Sequence, residues 1–274
     1  MNQQHPDGRE SPADPADDQE NDREWLQFNQ AAWDELASSG SPLARPAEDR
    51  LFENPLKCVD GPGWLGESIK GQRVLCLAAG GGRQGPLYAA AGGIVTVVDI
   101  SRAMLQMDRQ VAVERKLNVE TVQTSMDQLT MFKNDAFDLV IHPVSTCYVP
   151  EIAGVYREVA RVLRIGGLYI SQHKQPASLQ TTLKPDQSGY VVHEKYYRRS
   201  ALPVFDGKSP LRESGAHEFI HRWEELIGWM CRAGFVIEDL LEPMHAKRDA
   251  VPGTLGHRSQ FVAPYVRVKA RRAR

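Results

Sequence analysis

Hydrophobic and polar positions follow two rhythms along this chain. Short, nearly continuous apolar runs occur at Val74-Leu75-Cys76-Leu77, from Ile94 to Val98 and at Phe137-Asp138-Leu139-Val140-Ile141. They are too brief for helices and are bounded by turn residues, so they predict buried strands. Around them, apolar residues recur with a helical period. From Glu24 onward, Trp25, Phe28, Ala32, Trp33 and Leu36 share one face, and further on Ile152, Val155, Tyr156, Val159, Val162 and Leu163 form another stripe. Ser101 stands where a helix N-cap would, predicting a helix to about Lys116 and then a short strand over Val119 to Gln123. Pro86 suits a first helical position, with the helix continuing to Ala91 and stopped by Gly92-Gly93. Gly166-Gly167 are expected to end the helix that follows the fourth strand, ahead of a fifth strand from Leu168 to Ser171. A helix from about Arg222 to Ala233 turns Leu226, Ile227, Met230 and Ala233 inward, and Phe235 to Leu241 and Phe261 to Ala270 read as the last strands. Strands alternating with helices predict an α/β domain with a mostly parallel sheet covered on both faces.

Three segments depart from this rhythm. Residues 1–22 are rich in Asp, Glu, Gln and Pro without apolar periodicity, and read as a disordered acidic tail. Residues 23–70 form an N-terminal helical segment, turn-rich after residue 40, with one short helix before Lys70. The α/β domain spans 71–274. Within it, residues 173–213 scatter His173, Lys174, Tyr190, His193, Tyr196 and Tyr197 among turn residues, which suits an insertion capping the mouth of a site.

Composition changes the picture mainly by exclusion. A chain of 274 residues with a formal net charge of −2 can bury one sizeable core and gives no reason to expect nucleic acid. The four cysteines form no CxxC, so neither a zinc ribbon nor a disulfide framework is expected. The N-terminus is polar and acidic and no apolar run approaches membrane-spanning length, so the expectation is a cytoplasmic protein without a membrane partner. The basic residues from Lys269 to Arg274 read as a solvated end. His217-Glu218-Phe219-Ile220-His221 satisfies HExxH. Zinc would need both histidines on one helix face, whereas Phe219-Ile220 read as an extended lead-in to the helix near Arg222, and no third ligand follows. No metal is expected.

The candidate chemistry lies between Gln72 and Ser101. A strand runs into Gly80-Gly81-Gly82, a helix follows, and a second strand ends on Asp99. Bare backbone at one strand end and a carboxylate at the next suit a nucleoside, with Asp99 accepting hydrogen bonds from vicinal ribose hydroxyls. Gly80-x-Gly82-x-x-Gly85 matches the dinucleotide expression, but counted from the strand the fingerprint positions are Ala78, Gly80 and Arg83, and Arg83 would spoil the close helix–strand contact.

The same stretch resembles motif I of the class I S-adenosylmethionine-dependent methyltransferases, in their small-molecule, type 11-like branch. Cys76 stands where an acid is common and Ala78 where the first glycine is common. The sequences FDLVI and VLRIGGLYIS extend the resemblance, which covers residues 70–175 and, more loosely, 215–270. It implies a Rossmann-like, doubly wound sheet of seven strands in the order 3-2-1-4-5-7-6, with the last strand antiparallel. It also implies S-adenosylmethionine as cofactor and S-adenosylhomocysteine as product. The cofactor residues it points to are Ala78, Ala79, Gly80, Gly82, Asp99, Ile100, Met126 and His142, with Ser125 or Asp127 reading the adenine. The N-terminal helix either docks on the core through Trp25 and Trp33 or closes over the cofactor. A small-molecule acceptor is expected from the neutral charge, the missing nucleic-acid module and the capping insertion. His142 and His173 are the leading candidates for general base, with Tyr148 and His221 at the same edge, while Cys147 reads as a small buried residue. An NAD(P)-dependent oxidoreductase and a non-catalytic cofactor-binding protein of the same fold are the alternatives.

Overall fold

A computed structural model describes residues 24–187 and 189–274, so the tail expected over 1–22 lies outside the described residues. Strands β1 (Arg73–Leu77), β2 (Ile94–Asp99), β3 (Val119–Gln123), β4 (Phe137–His142), β5 (Leu163–Lys174), β6 (Phe235–Leu241) and β7 (Tyr265–Arg272) form one sheet. Its order is β3-β2-β1-β4-β5-β7-β6. Pairings from β3 through β5 are parallel, and β7 runs antiparallel to both its neighbours. This is the Rossmann-like arrangement expected.

Alternation along β1 shows how the sheet divides the core. Leu75 and Leu77 face one side with Val98 and Val140, beneath Val155, Tyr156 and Val159 of helix α5 (Ala153–Val162). Val74 and Cys76 face the other with Val95, Val97 and Ile141, against Tyr88 of helix α3 (Gln84–Ala90) and Leu105 of helix α4 (Arg102–Arg115). Both faces are dry, which is why these strands read as unbroken apolar runs. The Ser101 hydroxyl accepts the Met104 amide at 3.0 Å, and Lys116 ends α4 in the left-handed region.

Several boundaries differ from the sequence expectation. Helix α5 stops at Val162, and Leu163, expected on its stripe, already opens β5. Gly166-Gly167 do not end the helix. They lie inside β5, where the step from Phe137 to Leu139 in β4 faces the longer span from Leu163 to Leu168, and the excess chain bulges out. A Cβ at Gly167 would stand 2.6 Å from the Leu163 side chain, so only glycine closes this bulge. Helix α3 begins two residues before Pro86. The short helix expected before Lys70 is α2 (Pro55–Val59). The helix near Arg222 is a wide turn, Glu224–Gly228, followed by α7 (Trp229–Arg232), with Leu226 and Met230 fully inward and Ile227 and Ala233 only partly so. Phe261 is exposed and precedes β7, and the basic end is strand rather than solvated tail: Arg271 donates to Glu238 and to the Gly166 carbonyl.

The capping segment begins later than expected, because β5 continues through His173 and Lys174 before α6 (Pro176–Gln180). Helix α8 (Leu255–Arg258) ties the far end of the chain to α6. Arg258, 1 % exposed, donates to the Ser178 hydroxyl and to the carbonyls of Ser178, Thr181 and Thr182. A third apolar cluster joins Cys147 and Tyr148 after β4 to Leu202, Ala216 and Ile220, with Ala32 and Trp33 of helix α1 (Glu24–Ser38) against it. No helix among the described residues is long and apolar enough to cross a membrane.

Candidate active site

The carboxyl ends of β1, β2, β3 and β4 open into one cleft. Its wall takes in Ala78, Ala79, Gly80 and Gly81 after β1, Asp99 and Ile100 at the end of β2, Ser125 and Met126 after β3, and Pro143 to Ser145 with Tyr148 after β4. Trp25 and Trp33 of α1 cover it, and Arg45 and Arg83 stand exposed at its mouth. The sheet places loops from separate strands on one edge, which is where open α/β folds bind ligands.

Asp99 is the best-defined polar group here. Its two carboxylate oxygens accept the amides of Gly80 and Ser101, each at 2.9 Å. Burial pushes its pKa up to about 6, against the opposing pull of the Ser101, Gly80 and Ile100 amides. Each oxygen retains a further lone pair. Gly80 is obligatory beside it, because a Cβ there would lie 2.7 Å from Met104 Cβ and 3.0 Å from Asp99 Oδ2. A second carboxylate, Asp108 of α4, sits beneath the same loop and accepts the Gly81 amide at 2.9 Å. Its Oδ1 has no partner among the described residues, and burial raises its pKa to about 7. Cys76 faces the apolar side of the sheet, its thiol pushed well up by burial, and Asp108 is the nearby acid that acts on it.

Helix α1 is both docked and positioned over the cleft. Asp34 accepts from the Ser101 hydroxyl at 2.6 Å and from the Ala103 amide at 3.1 Å. Asn29, the fully buried residue of α1, donates to the Tyr148 carbonyl and accepts the His217 amide at 2.7 Å. Trp33 meets the Tyr148 ring edge-on, with centroids 5.5 Å apart.

Of the residues singled out in the sequence, Ala78, Ala79, Gly80, Asp99, Ile100, Ser125, Met126 and Tyr148 come together on the cleft wall. Gly82 and Asp127 do not line it. Gly82 is turned toward Val111 and Pro46, and Asp127 accepts the Ser125 hydroxyl. His173 and His221 also lie elsewhere. His173 is fully buried, with Nδ1 at 2.9 Å from the Thr146 hydroxyl and Nε2 at 2.8 Å from the Ser171 hydroxyl. His221 Nε2 is spent on the carbonyls of Thr146 and Val149. HExxH is extended chain, as expected, and Glu218 pairs with Lys174 and Arg212; no metal-binding cluster occurs among the described residues.

His142 lines a second, smaller cavity of about 80 Å³ that shares Gln84 and Pro143 with the cleft. Its Nδ1 lies 2.7 Å from the Tyr169 hydroxyl, and its buried Nε2 has no partner among the described residues. Burial lowers its pKa to about 3, so the ring is neutral. Arg45, Met104 and the walls of this second cavity were missed in the sequence. Met104 could have been inferred from the N-cap at Ser101, which brings the first turn of α4 against Gly80; nothing local marks the others.

The sequence model of a family described as a methyltransferase domain matches residues 75–171. The uncharacterized methyltransferase YbaJ of Bacillus subtilis is 35 % identical over 228 residues, covering 78 % of this chain and 89 % of its own. This chain belongs to the class I S-adenosylmethionine-dependent methyltransferases. Solved structures of low identity share the methyltransferase's fold. One is the S-adenosylmethionine-dependent methyltransferase of Mesorhizobium loti, with a TM-score of 0.63 at 18 % identity, covering 81 % of this chain and 100 % of that one. Another is the geranyl diphosphate C-methyltransferase of Streptomyces coelicolor, in complex with Mg2+, geranyl diphosphate and S-adenosylhomocysteine. Its TM-score is 0.58 at 15 % identity, covering 96 % of this chain and 100 % of that one. The methyltransferase takes S-adenosylmethionine as its cofactor, and the nicotinamide reading is set aside. The cleft suits that group: it offers a carboxylate with lone pairs to spare, an apolar pair in Ile100 and Met126, glycine backbone at Gly80, and cations at Arg45 and Arg83.

Proposed function

We propose that this methyltransferase modifies a small, largely apolar acceptor bound beside the cofactor under α1. The observation that carries this reading is the cover of Trp25 and Trp33 over a cleft whose remaining wall is mostly backbone and apolar side chain. Such a covered cleft suits a compact ligand. In this reading Asp99 holds the ribose hydroxyls, Ile100 and Met126 flank the adenine, Ser125 reads its edge, and Ala78 to Gly80 with Arg45 or Arg83 face the amino-acid end. The bound cofactor supplies an electrophilic methyl carbon on a sulfonium, which needs alignment more than covalent help. For an oxygen or nitrogen acceptor that reaches past Pro143 toward the cavity that His142 lines, His142 is the general base: in the tautomer whose Nδ1–H donates to Tyr169, the Nε2 lone pair is left to take the acceptor's proton. His173, through both ring nitrogens, and His221, through Nε2, hold the loop after β4 in place. Tyr148 stays a neutral phenol, because burial and then the Glu213 carboxylate push it well above its usual range. The exposed thiols of Cys58 and Cys231 suit a reducing, cytoplasmic setting.

The test is transfer of isotope-labelled methyl from S-adenosylmethionine into fractionated cell extract. Label in material passing a small-pore filter, lost in Asp99→Ala and reduced in His142→Gln, supports the reading. Label retained with protein or nucleic acid overturns the small-molecule acceptor.

A further inference from the structure

The second cavity holds a cation of its own, apart from the two at the mouth of the cleft. On its β7 side stands Arg267, half-buried and without a carboxylate partner within ion-pair distance among the described residues. Its one hydrogen bond runs from Nε to Gln172 Oε1 at 2.6 Å, which leaves the four N–H groups on Nη1 and Nη2 without a protein acceptor there. The one carboxylate on the cavity wall, Asp60, forms no ion pair with it, and each Asp60 oxygen already accepts an amide of its own loop, that of Trp64 at 2.8 Å and that of Leu65 at 2.7 Å. His245 adds a second basic group nearby, its protonation disfavoured by burial and then by Arg267.

The rest of the wall mixes aromatic and aliphatic side chains with the polar Gln84, Ser171 and Gln172. His142, 1 % exposed, lines the same space with Nδ1 held by Tyr169 and Nε2 unpartnered among the described residues. A guanidinium with two nitrogens free of protein acceptors, on the wall of a small chamber of mixed polar and apolar lining, is a group that recognises a planar anion. At about 80 Å³ the cavity admits a substituent and not a whole acceptor. Through Gln84 and Pro143 it adjoins the cleft, and the reacting atom would lie at that junction, between the cofactor and His142.

We propose that this cavity is a subsite for a carboxylate substituent of the methyl acceptor and that Arg267 sets the specificity for it. The inference rests on the function proposed above, and it narrows the acceptor to small aromatic or similarly flat acids. Arg267 is a specificity residue here and takes no part in the chemistry, which stays with His142. The cofactor's own carboxylate is the competing anion, but Arg45 and Arg83 already stand at the mouth of the cleft that holds the cofactor.

The test is calorimetric titration of the full chain saturated with S-adenosylhomocysteine, using benzoate, para-hydroxybenzoate and phenylacetate, each against its neutral amide. At least one acid is expected to bind about tenfold or more tightly than its amide. Arg267→Gln should remove that preference, Arg267→Lys should keep part of it, and neither should change the affinity for S-adenosylhomocysteine. Equal binding of every acid and its amide, no saturable binding of any acid, or a preference that survives in Arg267→Gln overturns the subsite. A fall in S-adenosylhomocysteine affinity in Arg267→Gln assigns the arginine to the cofactor and overturns it too. Failure of the parent protein to bind S-adenosylhomocysteine would instead strike the function on which the inference rests.

Discussion

At the scale of single residues, Asp99 and Ala78 show what the glycine loop after β1 asks of the chain. Asp99 accepts two backbone amides and still has lone pairs facing the cleft. On the proposed reading Asp99→Ala removes two charge-assisted bonds to ribose hydroxyls, each contributing about 1.5–3 kcal/mol. The affinity for S-adenosylhomocysteine should therefore fall by roughly 10²-fold or more, and an unchanged dissociation constant would refute the assignment. Because Asp99 titrates at about 6, binding to the parent should also weaken as pH drops from 7 to 5, and Asp99→Asn should flatten that dependence. Ala78 carries a Cβ at φ 47°, a conformation that favours glycine. Ala78→Gly is expected to leave stability within about 1 kcal/mol of the parent or raise it, since relief of the Cβ clash offsets the added freedom of the unfolded chain. Ala78→Val should cost about 1–3 kcal/mol in urea unfolding. Asp99 and Gly80 were legible in the sequence because strand, turn and acid follow one another within one β-turn-α-β unit. Asp108 was not. It reaches the glycine loop from the side of α4, and nothing near Gln106 or Arg109 in sequence says which way that turn faces.

At the scale of elements, the period of the pattern was legible and the exceptions were tertiary. All seven strands and their order agree with the sequence expectation, but Gly166-Gly167 looked like a helix stop and proved to be a bulge. The register of β5 against β4, which decides between them, is a long-range property. Helix α1 is the second exception. Its apolar face seemed to explain its docking, yet Phe28 is 43 % exposed, stacked on His217, and the buried anchor is the polar Asn29. Asn29 crosses from α1 to the loop after β4 and to the chain before Glu218, so one amide ties the cover of the cleft to two parts of the domain. Asn29→Ala leaves the part-buried His217 amide and the buried Tyr148 carbonyl short of partners, which should cost about 1–3 kcal/mol of stability. It should also weaken S-adenosylhomocysteine binding more than Ser39→Ala, just past the exposed end of α1. Equal effects of the two variants would show that α1 does not act on the cleft. HExxH has a similar explanation: its glutamate is the buried counter-ion of Lys174, a role invisible until β5 and the chain at 218 are brought together.

At the scale of the whole molecule, buried titratable groups of opposite sign set how stability depends on pH. His142 and His173 are held near 3 by burial, and His221 is lowered too. In the unfolded chain they take up protons near 6.5, so their contribution to stability is complete above that value and is lost as pH falls toward 3. Asp99 and Asp108 work the other way. Burial raises them to about 6 and about 7, so the folded state binds protons that the unfolded state has released, and stability declines as pH rises from about 4 to about 7. Between pH 4.5 and 6.5, approximately, the two sets oppose each other, and the parent's unfolding free energy should rise with pH less steeply than the three histidines alone would make it. Asp108→Asn removes one descending component without touching the histidines. Its stability should therefore climb more steeply from pH 5 to pH 7 than the parent's, measured as urea midpoints at constant slope of the transition. His173→Gln takes away one ascending component, and its profile should tilt downward over the same interval. Parallel profiles for the parent and both variants would mean that these groups titrate alike in the folded and unfolded chains, and that the buried polar edge of the sheet is open to water.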